Sequence, residues 1–390
     1  MFKIQTLNNI SPLGLARLPK DNYEVGTEFD APDAYILRSF KMQGMAVPPS
    51  VVAVARAGAG TNNIPVDEYA KLGIVVFNTP GANANAVKEL VLAGMLVGAR
   101  NISQAAAFAR SLEGTDEEIT KAVEAGKKNF VGFELPGKTL GVIGLGAIGG
   151  GVANSAVALG MHVIGYDPAI TINAAWNLSS QVERVNDVDE IFKRADVVTV
   201  HVPLIEATKG LVNAERLAMM RPNATILNFA RAGIVDDADI TAALDAGKLG
   251  SYVCDFPSNA LKGNPRVLAL PHLGASTNEA EDNCAVMAAQ ELRDYLENGN
   301  ITNSVNFPEA QLHAKEAGEA RLAIASDNGP DTLAKLTGAI SAAGLAVRHV
   351  VHKSRGDLDY TLIDVTAPVP ADVAEQLRGL TGVRNVRVIA

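Results

Sequence analysis

Residues 138–168 read KTLGVIGLGAIGGGVANSAVALGMHVIGYDP, and this stretch decides how the rest of the chain is interpreted. The apolar run at 139–143 is long enough for one buried parallel strand. A glycine turn, GLGAIG at 144–149, follows at once, and residues of helical composition continue to Gly160. A second apolar run at 162–166 ends at Asp167. The order strand, glycine turn, helix, strand and acid predicts a βαβ unit whose turn can hold a dinucleotide.

Each part of this unit has a physical role toward such a ligand. Gly144 allows the tight turn, Gly146 lets a pyrophosphate approach the backbone, and Gly149 lets the helix pack closely on the strand. The helix N-terminus faces the phosphate charge, and Asp167 can bind the hydroxyls of the adenosine ribose. No Arg or Lys occurs between Asp167 and Arg184. A 2′-phosphate would therefore meet a carboxylate without a cation beside it, which favours NAD over NADP.

The composition limits the function classes. The chain has 390 residues and a net charge of −9, which predicts two or three domains and argues against nucleic acid or an anionic membrane as partner. The longest apolar run, at 90–99, is too short to span a bilayer, and the first residues lack a signal pattern. We expect a soluble cytoplasmic protein. Cys254 and Cys284 lie in apolar surroundings, which predicts buried thiols and neither a disulfide framework nor a metal site.

Alternating strand and helix patterns predict an α/β fold with two Rossmann- or flavodoxin-like, doubly wound parallel-sheet domains. Residues 1–95 and 275–305 are expected to form a discontinuous substrate-binding domain, with strands at 3–7, 34–37, 51–55 and 74–77. Residues 96–274 are expected to form a six-stranded NAD-binding Rossmann domain. A long Ala-rich helical stretch at 83–110 would connect the first domain to it. Residues 306–318 are interpreted as a linker. The pattern strand, helix, strand, strand, helix, strand in 319–390 predicts a ferredoxin-like βαββαβ domain for assembly or regulation.

Polar residues follow the apolar runs of the predicted NAD-binding domain. Asp167, His201, Arg231, Asp255 and His272 all come at or just after the ends of such runs, and parallel strands deliver these ends to one sheet edge. An arginine after the apolar run ATILNFA is costly unless it is paired or bound to an anion. Its planar fork suits a carboxylate. His272 can donate or accept a proton near neutral pH.

The first domain shows a similar pattern with cations. Arg38-Ser39 and Arg56-Ala57-Gly58 follow two of its predicted strands, and Lys41 is close in sequence. Three cations near one sheet edge predict a small anionic substrate.

Several linked motifs extend over essentially the whole chain. They are RAGAGTNNI at 56–64, NTPGAN at 78–83, GLGAIG with Asp167, HVPL at 201–204, NFARAG at 228–233 and PHLGAST at 271–277. Together they resemble the D-isomer-specific 2-hydroxyacid dehydrogenases. ILRS at 36–39 and the closing βαββαβ pattern are similar to the members that oxidise 3-phosphoglycerate and end in an ACT domain.

The resemblance implies NAD-dependent oxidation of 3-phospho-D-glycerate to 3-phosphohydroxypyruvate, the entry to L-serine synthesis, by a homodimer or homotetramer. His272 would take the C2 hydroxyl proton, and Arg231 would hold the carboxylate and polarise the C2 oxygen. The substrate-binding residues would be Arg38, Ser39, Lys41, Arg56, Ala57, Gly58 and Asn83. The cofactor-binding residues would be Gly144, Gly146, Ala147, Ile148, Gly149, Asp167, Pro168, His201, Val202, Pro203, Thr208, Asn228, Ala230, Arg231, Asp255, His272 and Gly274.

Two positions depart from the family pattern. Asn259 stands at or next to the glutamate that the family places behind its catalytic histidine, and an amide can orient the ring but cannot supply a negative charge. Glu279 or Glu281 is an alternative source of that charge. In the last domain Asn328 matches a polar position of the family's serine site, whereas Ser326 and Ala346 replace other polar residues of that site. We therefore expect weak or absent serine inhibition.

Other functions remain open at this point. A dehydrogenase of another D-2-hydroxy acid, such as glycerate or 2-hydroxyglutarate, would need the same histidine, arginine and NAD site. An NAD-sensing corepressor with the same two-domain fold is a binding protein of another class, and an inactive relative used as a regulator is a further alternative.

Overall fold

A computed structural model gives the structure of residues 1–313, 315–316, 318–366 and 368–389. Contacts between Cα atoms divide the chain into two compact units. Unit 1 comprises Met1–Asn83 and Asn278–Ala390, and unit 2 comprises Ala84–Thr277. The C-terminal part thus belongs to the same unit as the first 83 residues, and the separate domains expected at 1–95 with 275–305, 96–274 and 319–390 stay predictions.

The first part of unit 1 is a parallel sheet with the strand order β2-β1-β3-β4-β5, which is the flavodoxin-like order. Its elements are β1 Phe2–Thr6, α1 Pro12–Leu15, β2 Tyr23–Gly26, β3 Ala34–Leu37, β4 Ala53–Arg56, α2 Val66–Lys71 and β5 Val75–Phe77. Strands β3, β4 and β5 are apolar runs buried along almost their whole length. Strand β2 was not predicted, because this short edge strand carries Glu24 and is only partly buried.

Unit 2 is a seven-stranded parallel sheet with helices on it. Its elements are α3 Ala84–Ala99, α4 Ile102–Arg110, α5 Asp116–Gly126, β6 Thr139–Ile143, α6 Ala147–Ala158, β7 His162–Tyr166, α7 Ile172–Trp176, β8 Val182–Arg184, α8 Val188–Arg194, β9 Val197–Val200, α9 Ala214–Met219, β10 Ala224–Asn228, α10 Asp237–Asp245, β11 Leu249–Cys254 and β12 Val267–Ala269. The strand order β12-β11-β10-β9-β6-β7-β8 is that of a Rossmann sheet with one added strand. Six strands were predicted for this sheet, and the prediction was wrong because it lacked the edge strand β8. The three residues of β8 are mostly exposed.

The expected single helix at 83–110 is two helices in the structure. Asn101, between α3 and α4, has φ 51°, a left-handed conformation that asparagine tolerates better than most residues. The two helices meet at 64°. No single helix among the described residues is long and apolar enough to span a membrane, although this bent pair would pass on length and composition.

The remainder of unit 1 begins with a long helix and ends with an antiparallel sheet of order β14-β15-β13-β16. Its elements are α11 Asn278–Asn298, β13 Ala320–Asp327, α12 Thr332–Ala342, β14 Val347–Arg355, β15 Leu358–Val365, α13 Ala371–Arg378 and β16 Val383–Ile389. The expected order of strands and helices is therefore present.

Both faces of the two inner strands of this antiparallel sheet, β13 and β15, are buried. Leu322 and Ile363 face a core that also includes Leu336 of α12 and Leu377 of α13. Tyr360 on the other face belongs to the same core as the parallel sheet and α11, and its hydroxyl donates a hydrogen bond to the carbonyl of Gly299 at 2.7 Å. The C-terminal sheet and α11 consequently share one core.

Glu291 is a buried acid within this core. Its Oε1 accepts a hydrogen bond from Asn303 Nδ2 at 2.6 Å, and its Oε2 has no hydrogen-bond partner among the described residues. Burial raises the pKa of Glu291 to about 8 from 4.5. The stability that the protonated side chain contributes is thus complete below the unfolded pKa and is lost as the pH rises toward 8.

Glu291→Gln should remove this pH dependence, because glutamine has no proton to lose. Relative to the native chain, we expect the variant to gain about 4 kcal/mol of unfolding free energy between about pH 5 and pH 8.5. Urea denaturation at the two pH values measures this gain. If the unfolding free energies of Glu291→Gln and the native chain differ by the same amount at both pH values, the expectation is contradicted.

Candidate active site

The glycine turn of unit 2 has the geometry that a dinucleotide needs. Gly144 has φ +90°, and a Cβ placed there would lie 2.5 Å from the carbonyl oxygen of His201. A Cβ at Gly149 would lie 1.9 Å from the Gly144 oxygen, so only glycine permits this approach of helix and turn. At Gly146 a Cβ would meet nothing within 4 Å. The space beside Gly146 fits the pyrophosphate position of this motif, and Ala147 and Ile148 follow in the first turn of α6.

Asp167 closes the other side of this turn. Its Oδ2 accepts a hydrogen bond from the Leu145 N–H at 2.8 Å, and its Oδ1 accepts one from the Ala169 N–H at 2.9 Å. These bonds fix the carboxylate directly after β7, with Pro168 next to it. A carboxylate offers about four acceptor positions, so capacity remains for ribose hydroxyls.

Two alanine substitutions at the turn separate cofactor binding from folding. Gly146→Ala should leave the melting temperature unchanged but weaken NAD binding by about tenfold or more, because the new methyl group enters the phosphate space. Gly149→Ala should lower the unfolding free energy by about 2 kcal/mol or more, because its methyl group collides with backbone. Calorimetric titration with NAD and thermal denaturation check both. Equal effects of the two substitutions on both quantities would contradict these roles.

The segment after β9 forms the neighbouring wall of the turn. The His201 N–H donates to the Ile143 carbonyl at 2.7 Å, and its Nε2 shares a hydrogen bond with Thr199 Oγ1 at 2.9 Å. Burial lowers the pKa of His201 to about 4, so its ring is neutral at physiological pH. Val202 and Pro203 continue the segment, and Thr208 Oγ1 donates to the Pro203 carbonyl at 2.5 Å, which holds the loop.

Asn228, at the end of β10, organises the loop that carries Arg231. Its Nδ2 donates to the Arg231 carbonyl at 3.0 Å, and its Oδ1 accepts from the Ala230 N–H at 3.1 Å. The Arg231 side chain is exposed, and its Nη1 donates to the Ala230 carbonyl at 2.6 Å. The apolar strand therefore ends in a fixed loop with a solvent-accessible guanidinium.

His272 and Asp255 line the same cavity of about 300 Å³. Asp255 follows β11 and is fully buried; its Oδ2 accepts from the Gly274 N–H at 3.2 Å, and its Oδ1 has no partner among the described residues. The His272 ring packs at 5.0 Å from the ring of Phe256. The cavity is lined by Asn228, Ala232, Gly233, Val235, Asp237, Tyr252, Asp255, Phe256, Pro257, Ser258, Pro271 and His272.

Asp255 and His272 interact electrostatically as well as lining one cavity. Burial raises the pKa of the Asp255 carboxyl, and the opposing influences are His272 first and then the backbone N–H groups that include Gly274. The cavity therefore combines a buried carboxyl group with an imidazole, the side chain that most often acts as a general acid or base.

Asn259 is not part of this arrangement. It is exposed and lines a different cleft, together with Ser258, Lys262 and Asn264, and no hydrogen bond joins Asn259 to His272 in the described part of the chain. Ser258 lines both this cleft and the His272 cavity. The role predicted for Asn259 stays a prediction.

The residues predicted to bind substrate lie at the carboxyl edge of the parallel sheet in unit 1. Arg56 donates from Nε to the Arg38 carbonyl at 3.0 Å and from Nη1 to the Gly60 carbonyl. The Ala57 N–H donates to the Leu37 carbonyl at 2.7 Å. Two of the three guanidinium nitrogens of Arg56 therefore bind backbone carbonyls of the loops that follow β3 and β4.

The other members of this set lie on the same loops. Ser39 Oγ accepts a hydrogen bond from Asn8 Nδ2 at 3.3 Å, and Lys41 is exposed two residues later. Gly58 directly follows Ala57. Asn83 is the last residue of this part of unit 1.

Asn328 lies after β13 in the C-terminal part of unit 1. Its N–H donates to the Asp357 carbonyl at 2.9 Å, and its Nδ2 donates to the Gly356 carbonyl at 3.0 Å. Ser326 is fully buried. The amide of Asn328 is thus engaged in joining two loops.

Comparison with known proteins gives the family. The model of the D-isomer-specific 2-hydroxyacid dehydrogenase NAD-binding domain matches residues 94–274. The D-3-phosphoglycerate dehydrogenase of Haemophilus influenzae is 32% identical over 353 residues, which cover 87% of this chain and 82% of that protein. The chain belongs to the D-isomer-specific 2-hydroxyacid dehydrogenases. The prediction of NAD as cofactor is confirmed by the match to the NAD-binding domain of this dehydrogenase family.

Other dehydrogenases of the family match over different lengths. The D-3-phosphoglycerate dehydrogenase of Methanocaldococcus jannaschii is 40% identical over 268 residues, 66% of this chain and 49% of that protein. The chain spans about half the length of several relatives with this name. The NAD⁺-bound 3-phosphoglycerate dehydrogenase structure of Entamoeba histolytica has a TM-score of 0.60 at 27% identity and covers 78% of this chain and 98% of that one.

Three polar residues that line the His272 cavity were not among the predicted site residues. They are Asp237, Tyr252 and Ser258. Asp237 opens α10 after the 228–233 motif, and Ser258 is next to Asn259, so both lie within a few residues of recognised positions. Tyr252 lies inside a buried strand, where its sequence context resembles that of any core residue.

Proposed function

We propose that the protein oxidises 3-phospho-D-glycerate to 3-phosphohydroxypyruvate with NAD, the first step of L-serine biosynthesis. The observation that carries the proposal is the cavity shared by His272 and the buried Asp255, at the same sheet edge as the glycine turn. Relatives named D-3-phosphoglycerate dehydrogenase support the choice of substrate.

In this proposal each side chain has one task at the reacting end of the substrate. His272 accepts the C2 hydroxyl proton at a ring nitrogen, and the Asp255 carboxylate stabilises the charged ring. Arg231 holds the substrate carboxylate, for which its exposed guanidinium has the matching planar geometry. Bound NAD supplies the hydride acceptor.

The phosphate end is assigned to unit 1. Arg38, Lys41 and Arg56 would supply positive charge, and Ser39, Ala57, Gly58 and Asn83 would line the pocket. Because Arg56 already donates to two carbonyls, Arg38 and Lys41 supply most of the hydrogen-bond donors in this assignment.

The C-terminal antiparallel sheet with α12 and α13 is proposed to be a ferredoxin-like ACT domain at 319–390, joined by a linker at 306–318. Its proposed role is assembly, with weak or absent serine inhibition, because the amide of Asn328 is engaged with the Gly356 carbonyl. A homodimer or homotetramer is proposed. Exposed apolar side chains in and near α3–α5 of unit 2, Leu96, Ile102, Val123 and Val131, support a subunit contact there.

A second candidate is a dehydrogenase of another D-2-hydroxy acid, such as glycerate or 2-hydroxyglutarate. The specific observation in its favour is that Arg38 is already paired with Glu281 at 2.5 Å. A substrate with a smaller or less charged far end would leave this pair intact.

A panel of 2-hydroxy acids assayed for NADH absorbance tests the proposal. We expect kcat/KM for 3-phospho-D-glycerate to exceed that for D-glycerate and D-2-hydroxyglutarate by about 100-fold or more, since the phosphate adds charged contacts. A preference for an unphosphorylated acid would favour the second candidate. Binding of NAD without turnover of any acid would favour a corepressor-like protein or an inactive relative.

A further inference from the structure

The backbone of Arg38 is held by three hydrogen bonds. Its N–H donates to Asn8 Oδ1 at 2.9 Å, and its carbonyl accepts from Arg56 Nε at 3.0 Å and from Asn63 Nδ2 at 3.2 Å. These bonds fix the point from which the guanidinium extends. The side chain itself is still 36% exposed, so its reach is defined while the group stays accessible.

Helix α11 brings a carboxylate to this guanidinium. Glu281, in the first turn of α11, places Oε1 at 2.5 Å from Arg38 Nη1, and its side chain is 45% exposed. Cys284, about one turn later, is buried in the core. Burial raises the pKa of the Cys284 thiol; Thr79, Arg38 and Arg56 act in the opposite direction, and Glu281 adds to the increase. The Arg38–Glu281 ion pair therefore lies within electrostatic range of a buried thiol.

We propose that Glu281 is a displaceable internal counter-anion of Arg38, and that it sets how tightly unit 1 binds a substrate with a second anionic group. The inference rests on the proposed function, in which Arg38 binds the phosphate end. A guanidinium binds carboxylates and phosphates through the same planar donors. Glu281 Oε1 therefore takes one of the positions that a phosphate oxygen would take.

The strength of the pair permits displacement. An ion pair between side chains this exposed is weak and is screened by salt. A phosphate on Arg38 brings nearly two negative charges beside Glu281, and like charges repel. Glu281 must therefore move away, or the phosphate binds less tightly. A substrate with an uncharged far end meets neither penalty, so Glu281 weakens binding selectively for doubly anionic substrates.

Glu281→Gln tests this inference directly. We expect KM for 3-phospho-D-glycerate to fall about two- to fivefold, because glutamine keeps the shape but not the charge. The inhibition constant of inorganic phosphate should fall by a similar factor, and KM or the inhibition constant for D-glycerate should not change. Both decreases should shrink at high ionic strength.

Asp282→Asn is the matched control, because it removes one negative charge from the same turn of α11. The Asp282 carboxylate accepts a hydrogen bond from Ser11 Oγ at 2.5 Å and does not pair with Arg38. The Asp282→Asn substitution should leave KM for 3-phospho-D-glycerate and the inhibition constant of phosphate within about 1.5-fold of the native values. An unchanged or higher KM and phosphate constant in Glu281→Gln, or equal decreases in both variants, would overturn the inference. Failure of the native enzyme to oxidise 3-phospho-D-glycerate would overturn the proposed function. In that case, inhibition by inorganic phosphate of the oxidation of its best substrate, compared between the native enzyme and Glu281→Gln, tests the role of Glu281 alone.

Discussion

Replacing His272 by glutamine should lower kcat for 3-phospho-D-glycerate by about 10²- to 10⁴-fold. Glutamine keeps a hydrogen-bonding side chain of moderate size, but it cannot take the C2 hydroxyl proton. The loss should therefore be in the proton-transfer step, and NADH binding should change by less than about threefold. The single tryptophan, Trp176 in unit 2, provides the binding measurement through energy transfer to bound NADH.

His162→Gln is the control for this experiment. His162 begins β7 at the opposite end of that strand from Asp167 and is exposed. Its substitution should leave kcat within about twofold, since surface changes away from a site have small effects. A His272→Gln enzyme with kcat within tenfold of the native value would show that another group moves the proton.

Replacing Arg321 by methionine should lower the unfolding free energy of unit 1 by about 3–5 kcal/mol. Arg321 is fully buried and donates from Nε and Nη2 to the carboxylate of Asp364 at 2.6 and 2.9 Å. It also donates to the carbonyls of Asn298 and His313. Methionine fills much of the space but leaves Asp364, which is 2% exposed, as an unpaired buried charge.

The double variant Arg321→Met with Asp364→Leu separates the charge from the packing. It should recover more than half of the loss, because replacing both partners removes the unpaired carboxylate. Lys121→Met is the control: its exposed ion pair with Glu117 should contribute less than about 0.5 kcal/mol. Guanidinium denaturation followed by circular dichroism measures all three. A double variant as unstable as the single one would contradict the assignment of the loss to Asp364.

The strands that were predicted with correct bounds are continuous apolar runs between turn residues. Strands β3, β6 and β7 are of this kind, and parallel strands covered on both faces require it. Strands β2 and β8 were missed because they are edge strands that are only partly buried. A short polar segment such as Val182–Arg184 can form a strand of this kind without an apolar signal.

The candidate site was predictable where a rule of the fold places residues. Parallel strands end at one edge, so Asp167, Asp255 and His272 could be grouped from sequence, and a shared cavity follows for the last two. Details of loop conformation were not predictable in this way. Whether position 258 or 259 enters that cavity depends on one residue of loop register. The Arg38–Glu281 pair joins distant parts of the chain, which periodicity cannot detect.

In the proposed reaction, hydrogen passes from C2 of a small hydroxy acid to NAD while His272 takes the hydroxyl proton. Oxidation of 3-phospho-D-glycerate that carries deuterium at C2, followed by mass spectrometry of the NADH product, measures this transfer. We expect NADH that is heavier by one mass unit in nearly every molecule, with no label lost to water. Unlabelled NADH, or no NADH at all, would contradict it.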